Sequence, residues 1–171
     1  MPQNQVGFRK GMGTMDNIYV INYVVNKQLG KGKGMTALFV DLRAAFDSVD
    51  RKVLVETMME RGIRGSLVER VKEVLWETKS RITVGNEMGE SFWTERGVRQ
   101  GCPMSPLLFN ILIADIEEEL GRVKWGGVKI GGKKIYSLAY ADNLVLMAEE
   151  EEEMRSLIER LERYLDRKRL N

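Results

Sequence analysis

The chain has 171 residues, 43% hydrophobic and 30% charged, with a net charge of +2; this is the balance of one globular domain or a piece of one, and its mild basicity permits nucleic-acid binding without indicating it. It carries no histidine and a single cysteine, Cys102, which excludes an internal disulfide, Ser-His-Asp and Cys-His catalysis and the usual zinc sites. Any metal should therefore be a hard, oxygen-liganded cation such as Mg²⁺ or Mn²⁺.

In chain order, the polar opening Met1-Pro2-Gln3-Asn4 is not a secretory signal. Residues 1–13 read as an irregular, glycine-containing lead. A helix follows with Ile18, Ile21, Val25 and Leu29 at helical spacing, and the basic loop Gly30–Gly34 stops it. Thr36–Leu42 reads as a largely buried strand. Asp50 is placed to cap a short helix ending near Gly62. Ser66 and Glu69 form a capping-box pattern ahead of a helix with Leu67, Val71, Val74, Leu75 and Thr78 on one face.

Arg81–Val84 and Ser91–Thr94 read as a hairpin around Gly85-Asn86. The loop GVRQGCP leads to Ser105-Pro106, serine as cap and proline in the first turn of a helix carrying Leu107, Leu108, Ile111, Leu112 and Ile116 to about Gly121. Gly131-Gly132 marks a tight hairpin. Ile135–Tyr140 and Leu144–Met147 read as strands joined at Ala141-Asp142-Asn143. A last helix, with Met154, Leu157, Ile158, Leu161 and Leu165 on one face, has an acidic start and a basic end that suit the helix dipole. Helices interspersed with hairpins make the fold class α+β. No run of about 18 apolar residues marks a membrane span, and no membrane partner is expected. The lone cysteine fits a reducing, intracellular compartment. The chain stops directly after a helix, which reads as a fragment.

Two aspartates carry the chemistry. Asp41 ends an apolar run, and Asp142 lies at the tip of another. Each reads alone as a strand-end or turn residue facing solvent. Together they suggest carboxylates that folding gathers around a cation, because burying an unpaired carboxylate is costly. A metal pair held this way is the machinery of nucleotidyl transfer.

The segments FVDLRAAFDSVD, RGVRQGCPMSPLLFNIL and LAYADNLVLMA occur in that order, preceded by QVGFRKGMGTMDNIYVINYVVNK and followed by MRSLIERLERYL. In these motifs the chain resembles the reverse transcriptases, and among them the non-LTR retrotransposon branch, from about Gln5 onward. The resemblance implies a right-hand polymerase palm, an antiparallel sheet packed on helices, with partial fingers over about 1–35, palm over about 36–171, and no thumb. It implies an RNA-directed DNA polymerase that joins dNTPs to the 3′-hydroxyl of a DNA primer on an RNA template; protein partners are left open. Asp41, Asp142 and the Leu42 carbonyl would hold two Mg²⁺ or Mn²⁺ ions, with Asn143 beside them in the catalytic group. The amides of Arg43, Ala44, Ala45 and Phe46 would face the triphosphate, and the Phe46 ring would exclude a ribose 2′-hydroxyl. Gln100 and Gly101 would lie under the incoming base pair, Gly101 allowing close backbone approach. Arg9, Lys10 and Tyr140 would contact nucleic acid.

The chain departs from the family's Tyr-Ala-Asp-Asp at its fourth position, reading Tyr140-Ala141-Asp142-Asn143. Asparagine offers an oxygen but no charge, which weakens a site for divalent cations. The Arg-Pro-Ile fingers motif, primer grip, thumb and endonuclease of the family are not matched. Two further readings follow: an inactive remnant that at most binds nucleic acid, and an unrelated two-carboxylate nuclease or phosphotransferase.

Overall fold

The computed structural model describes residues 4–170; the first three residues of the expected lead, and Asn171, lie outside it. The centre is an antiparallel three-stranded sheet in the order β1 (Thr36–Asp41), β7 (Asn143–Ala148), β6 (Ser137–Tyr140). Residues 4–6 extend it along the free edge of β6: Val6 N–H donates to the Ala139 carbonyl at 3.0 Å, and Ala139 N–H to that of Asn4 at 2.9 Å.

Strand alternation gives the sheet two unlike faces. Leu38, Val40, Ala139, Leu144, Leu146 and Ala148 point into the main core. The helices that close this core are α3 (Arg51–Glu60), α4 (Gly65–Trp76), α5 (Ser105–Leu112), α6 (Ile116–Gly121) and α7 (Glu151–Lys168). Fully burying a side chain such as Leu144 or Leu146 is worth about 1.5–3 kcal/mol, so this face fixes the register of β7. On the opposite face, Leu138, Val145 and Met147 meet Val24 of α1 (Thr14–Leu29) and Val128 of a small hairpin, β4 (Val128–Ile130) with β5 (Lys133–Ile135). The rest of that face is open, and Phe39 is 71% exposed on it.

Several expectations hold. Asp50 caps α3, accepting from the amides of Lys52 at 2.9 Å and Val53 at 3.2 Å. The hairpin at Gly85-Asn86 forms as β2 (Lys79–Val84) with β3 (Glu87–Trp93). Met154, Leu157 and Leu161 are buried on α7.

Others are corrected. The strand at Thr36 is partly buried on one face only, Ala37, Phe39 and Asp41 of the other face being exposed. α1 buries Val24 and Gln28 while Ile18 and Leu29 stay exposed, so its inward stripe is rotated from the expected one. Ser66 caps nothing: α4 starts at Gly65, and Glu69 turns to Lys72, 2.7 Å away. Ser105 is inside its helix rather than capping it, and its hydroxyl donates to the Arg99 carbonyl at 2.6 Å. The helix expected to run to Gly121 breaks after Leu112 and resumes at Ile116 as α6. There Asp115 is drawn to Tyr164 of α7, whose hydroxyl donates to it at 2.6 Å.

Candidate active site

β7 fixes the heart of the site through its pairing. Asp41 of β1 lies directly opposite Asn143, and Asn143 lies directly opposite Tyr140 of β6. Directly opposed residues share a face, with Cβ atoms about 4.5–5.5 Å apart. Asp41, Asn143 and Tyr140 therefore form a row across the open face, at one end of the sheet.

Asp142 stands beside this row in the β6–β7 turn. Its carbonyl accepts from Leu42 N–H at 3.2 Å, which ties it to the residue that follows Asp41. The Asn143 side-chain amide donates to the Asp142 carboxylate at 3.3 Å. Folding thus brings together Asp41, Leu42, Asp142, Asn143 and Tyr140. Burial is not what marks the carboxylates: Asp41 is exposed and Asp142 half-exposed, because the uncovered face leaves both in solvent. The expected burial of the two carboxylates does not occur, although Asp142 is tied to Leu42, the residue next to Asp41.

The donor set consists of two carboxylates, one neutral amide oxygen and backbone carbonyls, which suits a hard cation such as Mg²⁺ or Mn²⁺. Among the described residues, no three or more acidic, cysteine or histidine side chains are grouped so that they could hold a metal ion. Asn143, which lies opposite Asp41, carries no charge.

A second group adjoins the first. Ala44 takes a left-handed conformation (φ 48°) ahead of the short helix α2 (Ala45–Ser48); Arg43 and Ala44 are exposed and Ala45 is buried. Phe46 is half-buried, stacked on Phe109 at 5.1 Å between ring centroids and edge-on to Phe8 at 6.3 Å. The loop carrying Gln100 and Gly101 is strapped to this region: Val98 N–H donates to the Phe46 carbonyl and Gly97 N–H to that of Val49, both at 2.9 Å. The buried Arg51 guanidinium holds the same loop by donating to the Gly97 and Arg96 carbonyls at 2.9 Å and to that of Thr94. Gln100 spans the two segments, its amide donating to both Asp47 oxygens at 3.1 and 2.9 Å. Gly101 faces open space rather than a close neighbour; its φ of +80° is the reason for glycine there. Among the described residues, no hydrogen bond links Gln100 or Gly101 to Asp41 or Asp142.

Arg9 is half-buried and donates to the Gln5 carbonyl at 3.1 Å, whereas Lys10 is exposed. Sequence reasoning passed over the residues behind the site, Gln5, Gly7, Asn17 and Asn110. Asn17 donates to the Ala139 carbonyl at 3.1 Å and Asn110 to that of Gly7 at 2.9 Å. A fully buried asparagine within the apolar run SPLLFNIL was the available signal for Asn110.

The chain matches the family described as reverse transcriptase (RNA-dependent DNA polymerase) over residues 1–171. It is 30% identical over 135 residues to the retrovirus-related Pol polyprotein from type-1 retrotransposable element R2 of Popillia japonica, an alignment covering 79% of this chain and 22% of that protein. To the corresponding R2 polyprotein of Nasonia vitripennis it is 30% identical over 150 residues, covering 88% of this chain and 14% of that protein. The chain thus spans less than a quarter of the length of these relatives. Its structure is similar to telomerase from Candida albicans in complex with a telomeric RNA fragment, with TM-score 0.74 at 12% identity over 96% of this chain and 29% of that one. Apo telomerase from Candida tropicalis gives TM-score 0.68 at 12% identity, over 99% of this chain and 35% of that one. At such identity these likenesses speak for the fold alone, a partial polymerase palm.

Proposed function

The chain belongs to the reverse transcriptase family, and on that premise we propose that it carries the nucleotide-transfer site of an RNA-directed DNA polymerase, with residues up to about 35 as fingers and the rest as palm. One observation carries the reading: Asp41 lies opposite Asn143 while Leu42 bonds Asp142, so carboxylates from distant segments share one open end of the sheet.

The Asp41 and Asp142 carboxylates and the Leu42 carbonyl would hold two Mg²⁺ or Mn²⁺ ions, with Asn143 adding at most a neutral oxygen. When bound, such ions favour ionisation of a primer 3′-hydroxyl and neutralise the phosphates of the incoming dNTP. The chain's own residues supply the positioning. The Arg43–Phe46 amides would face the triphosphate at the left-handed bend of Ala44. The Phe46 ring, which stacks on Phe109 and meets Phe8 edge-on, would clash with a ribose 2′-hydroxyl and so select deoxynucleotides. Gln100 and Gly101 would support the incoming base pair. Arg9, Lys10 and Tyr140 would meet the DNA primer or RNA template, phosphate contacts supplying most of the affinity.

A second reading, a catalytically silent domain that keeps only nucleic-acid binding, is favoured by Asn143 alone. Primer extension separates the two. A DNA primer on an RNA template is incubated with dNTPs and Mg²⁺ or Mn²⁺, using the wild-type chain, Asn143→Asp and Asp142→Ala. The 171-residue chain alone should extend weakly or not at all; extension by wild type or Asn143→Asp that is lost in Asp142→Ala supports a working or repairable site. Template binding without extension by either protein, each tested with fingers and thumb segments restored, favours the silent domain, and shortening of the strand without dNTPs marks a nuclease.

A further inference from the structure

The β6–β7 turn is held from behind. Ala141, the residue before Asp142, adopts φ 57°, a left-handed conformation that alanine enters at a cost. A turn of this kind needs outside support to keep one geometry. Gln5 provides it. Its side-chain amide donates to the Ala141 carbonyl at 3.0 Å, and its side-chain oxygen accepts from Ala141 N–H at 3.0 Å and from Gly7 N–H at 2.8 Å. One carboxamide thus closes on both backbone groups of a single turn residue, and it is 0% exposed.

The neighbouring backbone leaves the turn no room to shift towards the lead segment. A Cβ on Gly7 would sit 2.3 Å from Ala141 N, so only glycine fits. Asn110 anchors the Gly7 carbonyl in turn.

We infer that Gln5 is a positioning residue that fixes the Asp142 turn and, through it, the placement of Asp142 against Asp41. The value of that placement for metal binding rests on the function proposed above; the clamp itself does not.

The test uses the ¹⁵N,¹³C-labelled 171-residue chain. In the wild type, a through-hydrogen-bond scalar coupling should join the Ala141 amide nitrogen to the Gln5 side-chain carbonyl carbon. Gln5→Met keeps the bulk but removes the donor and the strong acceptor. Ala141 amide exchange should then accelerate about tenfold or more. The Met147 amide, bonded to the Tyr136 carbonyl at 3.0 Å, serves as the reference and should be unchanged. The Mn²⁺ concentration that half-broadens the Asn143 amide should rise several-fold in the variant. Absence of the coupling overturns the inference without recourse to any variant, and so does unchanged Ala141 exchange in Gln5→Met. Faster exchange with unaltered Mn²⁺ broadening overturns the positioning role. If Mn²⁺ broadens nothing near Asn143 in the wild type, the proposed metal site fails, while coupling and exchange still decide the clamp.

Discussion

At the scale of single residues, Asn143 is the informative position. It stands opposite Asp41 on the open face, where a second carboxylate would face the first directly. Like charges in that relation are destabilising. Asn143→Asp should therefore lower the melting temperature of the metal-free chain slightly, and Mg²⁺ should raise that of the variant more than that of the wild type. Melting curves with and without Mg²⁺ check this; equal shifts in both proteins would remove Asn143 from the site. Phe46→Ala loses the stack on Phe109 and the edge contact to Phe8. Being half-buried, it should cost about 1–3 kcal/mol, below the 3–5 of a fully buried phenylalanine. In an extending enzyme it should also relax discrimination against ribonucleotides, measured as the ratio of rNTP to dNTP incorporation. Asp41, Asp142 and Phe46 were legible because their motifs are local strings. Gln5 was not, because its partner Ala141 comes beside it only in the tertiary fold, and a glutamine in a short polar lead carries no periodic signal.

At the scale of elements, α7 is latched to the start of α6 by half-buried polar contacts. The Asp115 carboxylate receives the Tyr164 hydroxyl at 2.6 Å and the Lys168 ammonium at 3.2 Å, and Lys168 is itself buried. Burial pushes the Asp115 carboxyl up, but the Tyr164 hydrogen bond and Lys168 outweigh it and leave it below the ordinary carboxylate range. Burial also holds the Tyr164 hydroxyl firmly in its neutral form, able to donate. A carboxyl with a lowered folded-state pKa contributes stability that is present above its unfolded value, about 3.9, and lost as the pH falls through the folded one. Glu117 works in the opposite sense. Burial raises its pKa, so its ionised form costs stability at neutral pH, a cost relieved on acidification. Asp115→Asn should thus lower the melting temperature at pH 7, and the gap to wild type should narrow as the pH drops below 4. A gap that stays constant across a pH series of melts would show that the latch does not depend on the charge. The α7 face and the Asp50 cap were readable from spacing and residue type. The break between α5 and α6 was not, since the apolar spacing runs on through it and the partners of Asp115, Tyr164 and Lys168, lie on a helix distant in sequence.

At the scale of the whole molecule, function follows from a sheet clothed on one face and bare on part of the other. The helices bury Leu144 and Leu146, which locks β7 in register and thereby aligns Asn143 with Asp41. The order of three motifs in the sequence was enough to foresee the palm. Which face stayed open was not foreseeable, because an apolar string such as TALFVD reads as buried on both sides until its neighbours are placed. The row that results is exposed, which is what the proposed binding of a primer end and a triphosphate requires.

Iron-directed backbone cleavage tests the shared site most directly. Fe²⁺ substituted for Mg²⁺, with ascorbate and peroxide, generates hydroxyl radicals that cut the chain beside the bound ion. The expected result is paired cuts near residues 41 and 142, suppressed by excess Mg²⁺ and both lost in Asp142→Ala. Cuts confined to another acidic stretch, such as Glu149–Glu153, or a cut near 41 that survives Asp142→Ala, would contradict a cation held jointly by the two aspartates.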